Sequence, residues 1–142
     1  MSKPVLIIAN PVSGGGKGQR LATELAEALE RRAIPTQTEL TQIDRNGRDI
    51  ASDLEVGGYR CLAVIGGDGS LHDVLGGLRS FSAPIALLPA GTANVFATEV
   101  GIRQAADPVA AMIERGEMTD AISVAAILRV HSDQNIIRAE TT

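Results

Sequence analysis

Gly66-Gly67-Asp68-Gly69-Ser70 stands directly between an apolar stretch, Ala63-Val64-Ile65, and a helix-like stretch opening Leu71-His72-Asp73. Glycines let main-chain N–H groups approach an anion closely, and the start of a helix adds positive potential, so this order of residue types suits a polyphosphate. Asp68 does not serve phosphate affinity, because a bare carboxylate repels the anion. It makes sense facing a metal ion or accepting a proton from an attacking hydroxyl. The plainer alternative is a tight turn with an Asx-type hydrogen bond from Asp68, with Ser70 no more than a helix cap. Ser70 and Asp73, three residues apart, have the form of a capping box.

Two further loops follow apolar runs. Asn10-Pro11-Val12-Ser13-Gly14-Gly15-Gly16-Lys17-Gly18 has the look of a phosphate cradle, but Lys17 is followed by Gly18 rather than Ser or Thr, so it is not a Walker A loop. Taken alone it is equally a flexible connector, with Asn10 as turn former and Ser13 as an ordinary loop residue. The third loop, Leu88-Pro89-Ala90-Gly91-Thr92-Ala93-Asn94, again sets a hydroxyl beside a glycine; Thr92 as a simple helix cap is the plain alternative. His72 has no second histidine at metal-ligand spacing and reads as a surface or rim residue. No Ser/His/Asp or Cys/His arrangement suggests covalent catalysis, and H-E-x-x-H and C-x-x-C patterns are absent.

The elements that must carry these loops alternate. Val5–Ala9, Pro35–Leu40, Cys61–Ile65, Pro84–Leu88 and Ile122–Val130 read as strands, the first a continuous aliphatic run of the buried parallel kind. Gln19–Arg32 has Leu21, Leu25, Ala28 and Leu29 at helical spacing, after a flexible Gly14–Gly18. Helices are also predicted over Gly47–Val56, Ser70–Arg79, Ala93–Val100 and Pro108–Arg115, the last capped from Asp107 with Pro108 in its first turn. The expected fold class is α/β: an open, mostly parallel sheet with helices on both faces, binding its ligand beyond the carboxyl ends of the strands.

At 142 residues the chain makes one domain, and with aromatics at 2% its core must be built from Ala, Val, Ile and Leu. A net charge of −4 and no basic stripe argue against a nucleic-acid partner. The single cysteine, Cys61, opens an apolar run and reads as a small core residue; it forms no internal disulfide, which fits a reducing cytoplasm. The start of the chain lacks the features of a signal peptide, and no apolar stretch approaches membrane-spanning length. The expected location is cytoplasmic, with any membrane association peripheral.

The three loops, in this order, resemble the catalytic domain of the diacylglycerol kinase family. That family includes bacterial lipid kinases and sphingosine kinases, with NAD kinases and phosphofructokinases as more distant relatives in fold. The resemblance rests on N-P-x-S-G (Asn10–Gly14), G-G-D-G-T (Gly66–Ser70, with Ser70 for Thr) and P-x-G-T-x-N-x-x-A (Pro89–Ala97), and runs from about Lys3 to Ser123. It implies ATP-dependent phosphorylation of a lipid hydroxyl, such as that of diacylglycerol, with Mg²⁺ helping to neutralise the phosphates. It further implies a nucleotide pocket lined by Asn10, Pro11, Ser13, Gly14, Thr41, Gly91 and Thr92, and phosphates held by Gly66, Gly67, Asp68, Gly69 and Ser70. Asp68 is the implied catalytic residue, and Asp73 stands where the family has Glu.

Bacterial members of that family continue into a β-rich second domain, whereas here residues 1–130 are expected to form the nucleotide-binding domain and 131–142 a polar tail. The expected alternatives are therefore a nucleotide-binding module without activity of its own, or an NAD-kinase-like kinase of a soluble substrate. Expected partners are a lipid substrate at a membrane surface, and a second copy or partner chain covering the apolar edge at Ile122–Val130.

Overall fold

Val5–Ala9, five aliphatic residues in succession, forms strand β1, and every one of them is buried. Apolar side chains on both faces of a strand call for a covering layer on each side, and the rest of the chain supplies two. In a computed structural model the described residues are 3–54, 57–78, 84–90, 99–116 and 122–124. They follow the order β1, α1 (Ser13–Glu30), β2 (Thr36–Leu40), α2 (Gly47–Ser52), β3 (Cys61–Gly66), α3 (Asp68–Gly77), β4 (Ile85–Pro89), α4 (Glu99–Arg115) and β5 (Ile122–Val124).

The sheet runs β2-β1-β3-β4-β5 and each pairing is parallel. Val5, Ile7 and Ala9 pack with Leu21, Leu25 and Leu29 of α1 and with Val109, Ala110 and Ile113 of α4. Leu6 and Ile8 face the other way, onto Ile50 and Ala51 of α2 and Val74 of α3. This is the expected α/β class. The strand order reverses between β1 and β3, because the chain first moves outward to β2 and then returns. A crevice opens at such a reversal, beyond the carboxyl ends of the strands.

Several elements differ from their sequence expectation. Helical hydrogen bonding begins at Ser13, yet Gly14, Gly15 and Gly16 have φ of 62°, 71° and 97°, so the expected glycine loop is present as a left-handed turn fused to the front of α1. Helix α2 is shorter than expected and stops at Ser52; Asp53 and Leu54 donate to the Ile50 and Ala51 carbonyls three residues back, a tightened last turn. Helix α3 starts two residues early, with Gly67 as N-cap, so the expected capping box of Ser70 and Asp73 does not form.

Pro108 opens no new helix; it lies inside α4. Ala106, Val109, Ala110 and Ile113 are buried on both sides of it, and Asp107 pairs with Arg31 and Arg32, just past α1, at 3.3 and 3.9 Å instead of capping. Burial along one face holds the helix through the missing hydrogen bond. Arg60 closes the far end, donating to the Ile113 and Glu114 carbonyls at 3.0 and 3.2 Å. Strand β5 covers Ile122–Val124; residues 125–130 of the expected strand, and the expected helix start at 93–98, lie outside the described residues.

Candidate nucleotide site

The crevice is a cleft of about 420 Å³ beyond β1, β2 and β3, and Asn10, Pro11, Thr41, Asn46, Ser70 and Asp73 all line it. They arrive from the ends of β1 and β2 and the starts of α2 and α3. Asn10 follows β1 and is fixed there: its N–H donates to the Ile65 carbonyl at 3.1 Å, and its Oδ1 accepts from Val12 N–H at 3.2 Å. Asn10 is thus a turn former and a cleft residue at once. Thr41 follows β2, its N–H donating to the Ala9 carbonyl at 2.9 Å.

Ser70 and Asp73 come from the first turns of α3, behind Gly66 and Gly67. The chain passes so close here that a Cβ on Gly66 would lie 2.5 Å from Ser70 Oγ. At Gly67 and Gly69 a Cβ would meet nothing within 4 Å. Packing does not require those two glycines; their effect is to leave the start of α3 uncovered. Leu71 N–H is the first donor taken up within the helix, by the Gly67 carbonyl at 3.2 Å. Gly67, as N-cap, has no side chain with which to cap the donors before it. An uncapped helix start at the mouth of a strand is an anion site in waiting.

Ser13, Gly14, Gly66, Gly67 and Gly69 frame the cleft without being among its lining residues. Gly14 touches the third loop instead: a Cβ there would collide with the Ala90 carbonyl oxygen. The first and third loops therefore meet backbone to backbone. Gly91 and Thr92 lie outside the described residues, as does the side chain of Asp68; its backbone is the first residue of α3.

Sequence reasoning passed over one wall of the cleft, built by Gln42, Ile43, Asn46 and Gly47. Asn46 caps α2 in a reciprocal box with Asp49, Asn46 Oδ1 accepting from Asp49 N–H at 3.0 Å and Asp49 Oδ2 from Asn46 N–H at 3.1 Å. The N-x-x-D spacing was the available signal. His72 is exposed, as expected. Cys61 is buried, which pushes its thiol up to about 12, with Arg60 opposing the shift only weakly. Among the described residues no group of three His, Cys, Asp or Glu side chains could hold a metal.

A family model described as the diacylglycerol kinase catalytic domain matches residues 4–127. The chain belongs to that family. Sphingosine kinase 1 of Mus musculus is 32% identical over 104 residues, covering 68% of this chain and 27% of that protein. Sphingoid long chain base kinase 4 of Schizosaccharomyces pombe is 30% identical over 103 residues, covering 67% and 22%. A crystal structure of a diacylglycerol kinase from Bacillus anthracis shares the fold, with a TM-score of 0.59 at 24% identity over 80% of this chain and 42% of that one. This lipid-kinase family domain spans only 22% and 27% of the lengths of the two curated relatives. Among the described residues no helix is long and apolar enough to cross a membrane.

Proposed function

We propose that this chain is the nucleotide-holding domain of an ATP-dependent lipid kinase that phosphorylates a lipid hydroxyl, diacylglycerol being one such acceptor. The observation that carries the reading is the convergence of Asn10, Thr41, Ser70 and Asp73 on one cleft beside the uncapped start of α3. A cleft of about 420 Å³ lined by both apolar and hydrogen-bonding groups is of ligand size. Asn10, Pro11, Ser13, Gly14, Thr41, Asp73, Gly91 and Thr92 are assigned to the nucleotide, Gly66, Gly67, Gly69 and Ser70 to its phosphates, and Asp68 to the chemistry beside them.

A magnesium ion that arrives with the nucleotide would be held mostly by phosphate oxygens, as is usual for that ion. Its contribution when bound is to neutralise phosphate charge. The lipid hydroxyl oxygen attacks the terminal phosphorus, the bond to the bridging oxygen breaks, and Asp68 takes the hydroxyl proton. Positioning and charge stabilisation carry most of such a transfer, which suits fixed backbone donors at the start of a helix.

The test is incubation of the chain with magnesium, labelled ATP and vesicles of diacylglycerol, monoacylglycerol, phosphatidylglycerol or sphingosine, with NAD as the soluble acceptor. Label in a lipid, lost in Asp68→Ala while ATP binding persists, supports the reading. ATP bound with no product marks a nucleotide-binding module that needs the further length its relatives have. Label in NAD moves the assignment to soluble-substrate kinases, and failure to bind ATP defeats it.

A further inference from the structure

Asn46 caps α2 with only half of its side chain. Its Oδ1 accepts from Asp49 N–H at 3.0 Å, and only the oxygen of a carboxamide accepts, so the orientation of the amide is fixed. Asn46 also lines the cleft, and the end left to meet a ligand there is the Nδ2 donor. Three residues earlier, Ile43 stands on a tight turn in the same wall. Gln42 N–H donates to the Arg45 carbonyl at 2.8 Å and Arg45 N–H to the Gln42 carbonyl at 3.1 Å. The Arg45 guanidinium meets Asp53, at the C-cap of α2, at 3.1 Å. The turn is closed and tied down, yet it carries a large aliphatic side chain that is fully exposed. One exposed aliphatic residue is ordinary. One held on a tied turn in a cleft wall, three residues from an oriented donor, has the makings of a contact surface.

We propose that Ile43 and Asn46 form the wall that receives the nucleobase, the flat face of the base lying on Ile43 and a ring nitrogen of the base accepting from Asn46 Nδ2. The inference rests on the nucleotide reading above and says which part of the nucleotide meets which wall. A base joins a stackable face to acceptor nitrogens at its edge. A phosphate has no apolar face, and the uncapped start of α3 suits it on the opposite wall. Asn10 matches Asn46 in kind. Its Oδ1 is spent on Val12 N–H at 3.2 Å, so both asparagines of the lining offer donors to an acceptor-rich ligand.

Calorimetric titration of the chain with ATP and with inorganic tripolyphosphate tests this. Asn46→Ser keeps a capping oxygen and removes the amide donor without adding charge. Urea denaturation should therefore shift little while ATP affinity falls about tenfold, the worth of one hydrogen bond. Ile43→Ser should lower ATP affinity by a similar factor through lost apolar contact, with folding stability again unchanged because Ile43 is exposed. Tripolyphosphate affinity should be the same in all three chains. Unchanged ATP affinity in either variant overturns the proposal and leaves the nucleotide reading standing. So does an equal loss of ATP and tripolyphosphate, which would place the effect of this wall on the phosphates. A native chain that binds no ATP defeats the nucleotide reading itself, and this inference falls with it.

Discussion

Replacing Gly66 by alanine tests whether the turn between β3 and α3 is as tight as the site requires. The added Cβ would lie 2.5 Å from Ser70 Oγ and 2.7 Å from Ser70 Cβ. Rotation about χ1 relieves the first contact but not the second, because Cβ is fixed to the backbone of α3. Gly66 has little room to retreat: it ends β3 in register with Pro89, and its carbonyl accepts from Ala90 N–H at 3.1 Å. The first turn of α3 must therefore move by about 1 Å to restore ordinary carbon contact of ~3.5–4.0 Å.

Overpacking of this kind costs about 1–3 kcal/mol. Ser70→Gly removes both offending atoms and by itself costs about 0.5–1 kcal/mol as a helical glycine. In the double variant the two substitutions should cost less than their sum by at least about 1 kcal/mol, the size of coupling expected for residues in contact. Urea denaturation followed by far-UV circular dichroism measures all four corners of the cycle. ATP affinity, read by calorimetry, should fall in Gly66→Ala by tenfold or so, since about 1.4 kcal/mol of displaced donors is enough. A Gly66→Ala cost below about 0.5 kcal/mol, or an additive cycle, would show that the turn is slack and the reasoning wrong.

Asn46→Ala should lower unfolding free energy by about 1 kcal/mol, because it removes the acceptor that caps α2, while Asn46→Asp should retain most of it; equal losses in the two would refute the cap's role. Cys61 gives a pH prediction whose sign is fixed. Its native thiol titrates at about 12 against an ordinary 9.0, so above pH 9 the unfolded chain sheds the proton first and native stability falls as pH rises toward 12. The slope, about 1.4 kcal/mol per pH unit from this one group at most, should be missing from Cys61→Ala, and a thiol reagent at pH 8 should label Cys61 only after unfolding.

The strands were legible because Val5–Ala9 and Cys61–Ile65 are unbroken aliphatic runs, the pattern left by burial on both faces. The cleft was legible for a related reason: the glycines and hydroxyls cluster where those runs stop. Element ends near proline and glycine were not. Pro108 carries a strong local preference for a helix start, yet Val109 and Ala110, buried on α1, hold the helix through it. Likewise Ser70 and Asp73 match a capping pattern, but Gly67 is already extended at φ −99° and ψ −167° and begins the helix sooner. Local propensity is a matter of about 1 kcal/mol for most residues and about 3 kcal/mol for a proline inside a helix, and packing of a whole helix face exceeds both.

The wall built by Thr41 to Gly47 shows how the fold turns such packing into a site. A Cβ on Gly47 would press on Val74 Cγ2 at 2.9 Å, so α2 and α3 meet almost backbone to side chain. That contact sets Asn46 and Thr41 opposite Ser70 and Asp73 across the cleft. On the other side, Gly14 against the Ala90 carbonyl fixes the first loop to the end of β4. The cleft's width is therefore determined by close glycine contacts between its walls as much as by the polar groups that face into it. Alanine at Gly47 or Gly14 should lower nucleotide affinity by shifting the walls of the cleft, since the added Cβ would collide with Val74 Cγ2 or with the Ala90 carbonyl.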